Sequence, residues 1–225
     1  MFKKKKDILE VVSLILYIPK DMEICVSDIN GIIAHEMKHI LDTAWNTNTI
    51  KKNLKNNDII IELIDKYEVD MFNDSLKLGT PTSYKWSDKE LILFFENCIY
   101  YSDKSENSAF LETAISEIKN NNHTKITENN INAICYEYSI DAYRPIYTLN
   151  YYLDNFINYY NKNLKLPFNE KQYSLIQEII SILNQTYKVS ILPANQYSII
   201  KYFKKWNKIF KKFLSNIENY FLKSL

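Results

Sequence analysis

Asn30-Gly31-Ile32-Ile33-Ala34-His35-Glu36-Met37-Lys38-His39-Ile40-Leu41-Asp42 is the stretch on which the reading of this chain turns. The 225 residues include only 3 histidines, and two of them fall in the window His35-Glu36-Met37-Lys38-His39. Residues four apart on an α-helix sit one above the other, so His35 and His39 can point at one metal ion. Glu36 lies beside the pair, where it can take a proton from metal-bound water. The same five residues also suit a surface helix with solvated histidines, so the flanks must decide.

The flanks are helical. Ser27 and Asp28 are both good N-caps, and Ile29, Ile32, Ile33, Met37 and Ile40 follow at helical spacing. Upstream, Val11-Val12-Ser13-Leu14-Ile15-Leu16-Tyr17-Ile18 is a β-branched-rich run stopped by Pro19, which reads as a strand. A strand, a short loop and an H-E-x-x-H helix resemble the start of the zincin metallopeptidase active site. That resemblance implies a bound zinc ion (Zn2+), with His35 and His39 as ligands and Glu36 as general base.

A catalytic zinc site takes three protein ligands and a water. The metzincin pattern needs a third histidine six residues past the second, where this chain has Trp45, so that branch is excluded. His123 lies in the polar stretch Asn120 to Lys125, which reads as a loop; it can be a ligand, a transition-state stabiliser or simply solvated. The segment from Tyr100 to Glu112 contains Glu106-Asn107-Ser108-Ala109, which resembles the second helix of gluzincin-like peptidases, including small ones encoded by bacteriophages. The resemblance implies Glu106 as third ligand, with a small Ala109 letting the two helices approach. Asp103 to Glu106 also reads as a capping box. Glu62 is the runner-up, and Glu112 and Glu117 are further alternatives.

The chemistry implied is zinc-dependent hydrolysis of a peptide bond. Such sites carry one more donor for the tetrahedral oxyanion. Tyr143 and Arg144 stand as candidate catalytic donors, in a segment that also holds Tyr136 and Tyr138; Tyr100 and Tyr101 precede Glu106. Asp42 can be a partner to a ligating imidazole. The substrate class is a peptide or protein, including the peptide part of a cell wall. A second reading is a virion-associated structural protein of a phage with a zincin-like fold, in contact with other virion proteins. A third is a regulatory peptidase that cleaves one partner.

Composition sets the outer bounds. A net charge of +1 gives no field for nucleic acid. The 26 asparagines and the dominance of lysine over arginine, with Arg144 alone, fit an AT-rich genome such as that of a low-GC bacterium or phage. Cys25, Cys98 and Cys135 are widely spaced and odd in number, as expected of packed, reduced thiols in a cytoplasmic protein. Lys3 to Lys6 precede an apolar run, but Asp7 and Glu10 interrupt it and no small-residue cleavage site follows Pro19, so no signal peptide is expected. No run is long enough for a transmembrane helix. The expected location is the cytoplasm, or the virion if phage-encoded.

Beyond the motif the pattern is helical, with 2 glycines and 5 prolines. Helices are expected near 28–44, 57–73, 87–100, 104–119, 128–142, 147–162, 169–187 and 196–223. The last has a broad apolar stripe opposite Lys201, Lys204, Lys205, Lys208, Lys211 and Lys212. Packing on its own domain is expected, with contact to an anionic membrane as the other use. The fold expected is α+β and mostly α: a minimal zincin-like fold with a short N-terminal β-sheet over the metal helix and a helical C-terminal half. Residues 1–165 form the metallopeptidase domain, and 166–225 a C-terminal helical extension packed on it.

Overall fold

The computed structural model describes residues 26–45, 86–120, 126–186 and 196–223. Within them lie α1 (Val26–Trp45), α2 (Asp88–Ser102), α3 (Lys104–Asn120), α4 (Ile131–Tyr138), α5 (Tyr143–Asn163), α6 (Glu170–Thr186) and α7 (Gln196–Leu222). In α1, side chains are described from Ile29 to Lys38.

One expectation is overturned. Every regular element among the described residues is an α-helix, so this part of the chain is all-α rather than α+β with an N-terminal sheet. The strand reading of Val11 to Ile18 falls outside the described residues, as does the helix expected near 57–73. A short apolar run carries no period that separates a strand from a buried helical segment. The described chain buries its apolar stripes helix against helix, and needs no sheet to do so.

The core forms around α2. Leu91, Ile92, Leu93, Phe94 and Phe95 are all buried, so this turn of the helix is covered on every side. Ser87 begins it with a capping box: Glu90 N–H donates to Ser87 Oγ at 3.2 Å and Ser87 N–H to Glu90 Oε2 at 2.7 Å. Phe94 meets Trp86, Phe156 and Phe203 at ring-centroid distances of 5.0, 5.7 and 5.9 Å, mostly edge to face. Phe95 reaches Trp206 at 5.7 Å.

Residues beyond 165 belong to this same core, through Leu166, Ile176, Ile180, Phe203 and Phe210. α7 turns Ile199, Ile200, Phe203, Trp206, Phe210, Phe213 and Ile217 inward and leaves its six lysines exposed. Lys211 also reaches Asp154 at 2.8 Å. Among the described residues no helix is long and apolar enough to cross a membrane.

Two boundaries differ from expectation for local reasons. α4 is short because Ser139 leaves the helix to bond elsewhere. α5 begins at Tyr143 rather than 147, since Pro145 falls in its first turn, where the missing N–H has no helical partner to lose.

Candidate metal centre

α1 packs on the described chain chiefly through α3. Gly31 lies against Thr113 and Glu117, where an added Cβ would come within 3.4 and 3.5 Å of their side chains. Thr113 Oγ1 donates to the Gly31 carbonyl at 3.4 Å. One turn later, His35 lies edge-on to Phe110 with ring centroids 4.6 Å apart, and beside Glu106. Rising numbers on α1 therefore meet falling numbers on α3, and the helices run antiparallel. Gly31 is the small residue at this crossing, and the expected small residue of α3, Ala109, is fully buried.

The contact brings together two of the residues singled out in the sequence. His35 Nε2 is 3.5 Å from Glu106 Oε2. The corner before α3 explains why the carboxylate is turned there. Asp103 Oδ1 accepts from Ser105 N–H at 2.8 Å and from Glu106 N–H at 3.4 Å, which caps α3. The Asp103 N–H is itself taken by the Ile99 and Tyr100 carbonyls, both at 3.1 Å. Only half of the expected capping box is thus made, and the Glu106 carboxylate faces α1 instead.

Donor chemistry and spacing at this pair fit zinc. A charge-assisted N–H···O bond closes to about 2.7–2.9 Å. Two ligand atoms each about 2.0–2.2 Å from a tetrahedral ion stand about 3.3–3.6 Å apart, which matches the His35–Glu106 spacing. His39 follows one turn beyond His35 on α1, on the side of the N-terminal end of α3; its side chain, like those of Asp42, Glu62 and His123, lies outside the described ones. Among the described residues no group of three His, Cys, Asp or Glu is assembled. Glu36 is half-buried on α1 next to His35.

The remaining candidates have other surroundings. Tyr143 is fully buried, and its hydroxyl donates to Glu218 Oε1 at 2.6 Å; burial and that carboxylate push the phenol well above its usual range. Arg144 donates from Nε to the Tyr136 carbonyl at 3.1 Å and from Nη2 to the Glu137 carbonyl at 3.3 Å, satisfying the C-terminal end of α4. Glu112 is exposed. Glu117 is buried and accepts from Ser139 Oγ at 2.5 Å and Asp141 N–H at 3.3 Å, so it pins the α4–α5 turn to α3. Cys98 and Cys135 are free and buried; burial raises both thiols, Cys135 to about 12.

Tyr100 was named in the sequence only as one of several tyrosine donors, and Glu96 was not singled out at all. Burial, followed by the nearby Glu106 charge, raises the Tyr100 phenol. Glu96, one turn before Tyr100 on α2, is pushed up to about 7 by desolvation. Its signal was available: Glu96 is the one charge between Leu91 and Ser102. No family model matches this chain, nor does any curated protein or solved structure.

Proposed function

We propose that this chain is a zinc-dependent peptide hydrolase in which His35, His39 and Glu106 hold the metal and Glu36 is the general base. The observation that carries the reading is the 3.5 Å approach of His35 Nε2 to Glu106 Oε2, across two helices and 71 positions apart in sequence. When bound, zinc in such a site brings the pKa of a water toward neutrality and polarises a carbonyl.

The chain supplies the rest. His35 and Glu106 are presented from two packed helices, so little reorganisation is needed to hold an ion between them. Glu36 follows His35 directly and can take a proton from the attacking water, then pass it to the leaving amine. Phe110 packs on the His35 imidazole and shields that side from solvent.

The test separates chemistry from binding. Glu36→Gln should retain zinc, measured by elemental analysis, and lose hydrolysis of a fluorogenic peptide library by a factor of at least ~10². Hydrolysis at the wild-type rate in this variant would overturn the enzyme reading.

A further inference from the structure

The charge of this chain is close to balanced overall and far from balanced locally. The 225 residues sum to a formal +1, whereas α7 holds six lysines and one glutamate, a net +5, which leaves −4 for everything else. At roughly 100° per residue, Lys201, Lys204, Lys205, Lys208, Lys211 and Lys212 fall within an arc of about 120° and a length of about 17 Å. All six are exposed, and Glu218, the acid of this helix, accepts instead from the Tyr143 hydroxyl at 2.6 Å. α5 fixes one edge of the stripe, where Asp154 accepts from Lys211 at 2.8 Å and from Asn207 at 3.1 Å.

The other half of α7 is already occupied: Phe203, Trp206, Phe210, Phe213 and Ile217 lie in the core. A helix that inserts at a membrane interface needs such residues free to enter the acyl boundary, so α7 can meet a surface only through its lysines. Nucleic acids are read by planar Arg, Asn or Gln side chains in a groove, or by rings that stack on bases. Every cation of this stripe is a lysine, and no ring lies between them on that face. A straight row of point charges matches a plane of anionic headgroups, where each lysine contributes without a fixed geometry. Tyr197, 65% exposed, continues the row one turn before Lys201, and tyrosine favours the membrane–water interface.

We propose that the lysine face of α7 docks this protein reversibly on an anionic lipid surface, by charge alone and without insertion. The inference goes beyond the hydrolase reading and does not depend on zinc, so metal-free protein should dock equally well.

The experiment is co-sedimentation of the full, metal-free chain with vesicles of phosphatidylcholine, alone or with about one third phosphatidylserine. Binding is expected to the second kind only, and raising salt from about 0.1 M to about 0.5 M should abolish it, because screening shortens the reach of each charge. A lysine near such a surface is worth about fivefold in affinity, so Lys204→Gln/Lys208→Gln should bind about 25-fold more weakly. Lys104→Gln/Lys171→Gln removes the same charge from α3 and α6 and should bind like wild type. All four side chains are exposed, so both variants should unfold within about 2 degrees of wild type. A wild-type chain that ignores the anionic vesicles, or binds neutral ones equally, overturns the inference. So does an equal loss in the two variants, or binding that salt leaves unchanged. A chain that binds a mixed-sequence DNA duplex and leaves the vesicles alone also overturns it, and makes the stripe a nucleic-acid surface.

Discussion

Among the described residues, the two main helix contacts are built from different materials. Between α2, α5 and α7 the contact is aromatic: Phe94 stands edge to face with Phe156 and Phe203, which are tilted against each other, with Trp86 and Trp206 at the margins. Between α1 and α3 it is a seam of Gly31, Thr113, Glu117, His35, Glu106 and Phe110. Helices need only apolar ridges and grooves to associate. Placing a histidine and two carboxylates in such a seam costs desolvation free energy that apolar residues would not. The first contact is built for packing alone, and the second brings a histidine and a glutamate to within 3.5 Å of each other, the pair on which the zinc proposal rests.

Truncations should expose that division. Phe94→Ala removes a fully buried ring from the aromatic contact and should lower unfolding free energy by about 3–5 kcal/mol, measured by urea denaturation. A loss below about 1 kcal/mol would mean that this contact is not where stability resides.

Glu96 tests the border between the two regions. Its pKa is raised from 4.5 to about 7, so the folded state binds the proton more tightly than the unfolded state does. Its full contribution is present below the unfolded value of 4.5 and is lost as pH rises through about 7. That span corresponds to about 3 kcal/mol between acid and alkaline conditions. Glu96→Gln should cancel this part of the pH dependence, so that the variant is more stable than wild type at pH ~8 and gains little at pH ~4.5, read from unfolding curves across that range. Equal pH profiles for the two proteins would contradict the burial of a chargeable Glu96.

A smaller effect is expected at Gly31. An added Cβ meets Thr113 at ordinary contact distance, 3.4 Å, so Gly31→Ala should be neutral or raise stability by up to about 1 kcal/mol through helix propensity. Gly31→Leu must displace α3 and should cost about 1–3 kcal/mol while weakening zinc binding. If both variants behave alike in thermal unfolding and zinc affinity, α1 does not lie close on α3.

Much of this was legible in the chain itself. The motif helix, the break at Asp103 and the apolar stripe of α7 follow from caps and period, and the structure places those helices within a few residues of expectation. Glu106 was singled out by the resemblance of its segment, and among the described residues its carboxylate lies 3.5 Å from His35. Other features depend on tertiary contacts that no local pattern encodes. Tyr143 has the right chemistry for an oxyanion donor, but its partner is Glu218, 75 positions away. Arg144 looks available in sequence, yet the early start of α5 sets its guanidinium over the end of α4. The sheet expected from Val11 to Ile18 rested on a run too short to carry a period, and the described part of the molecule is helical throughout.

The central claim is that the α1–α3 seam holds a zinc ion, and metal content tests it most directly. Protein purified without chelator should contain one zinc per chain by elemental analysis, and Glu106→Ala should contain none while unfolding at nearly the temperature of the metal-free wild type. A wild-type chain without zinc, or a Glu106→Ala chain that keeps it, would contradict the account.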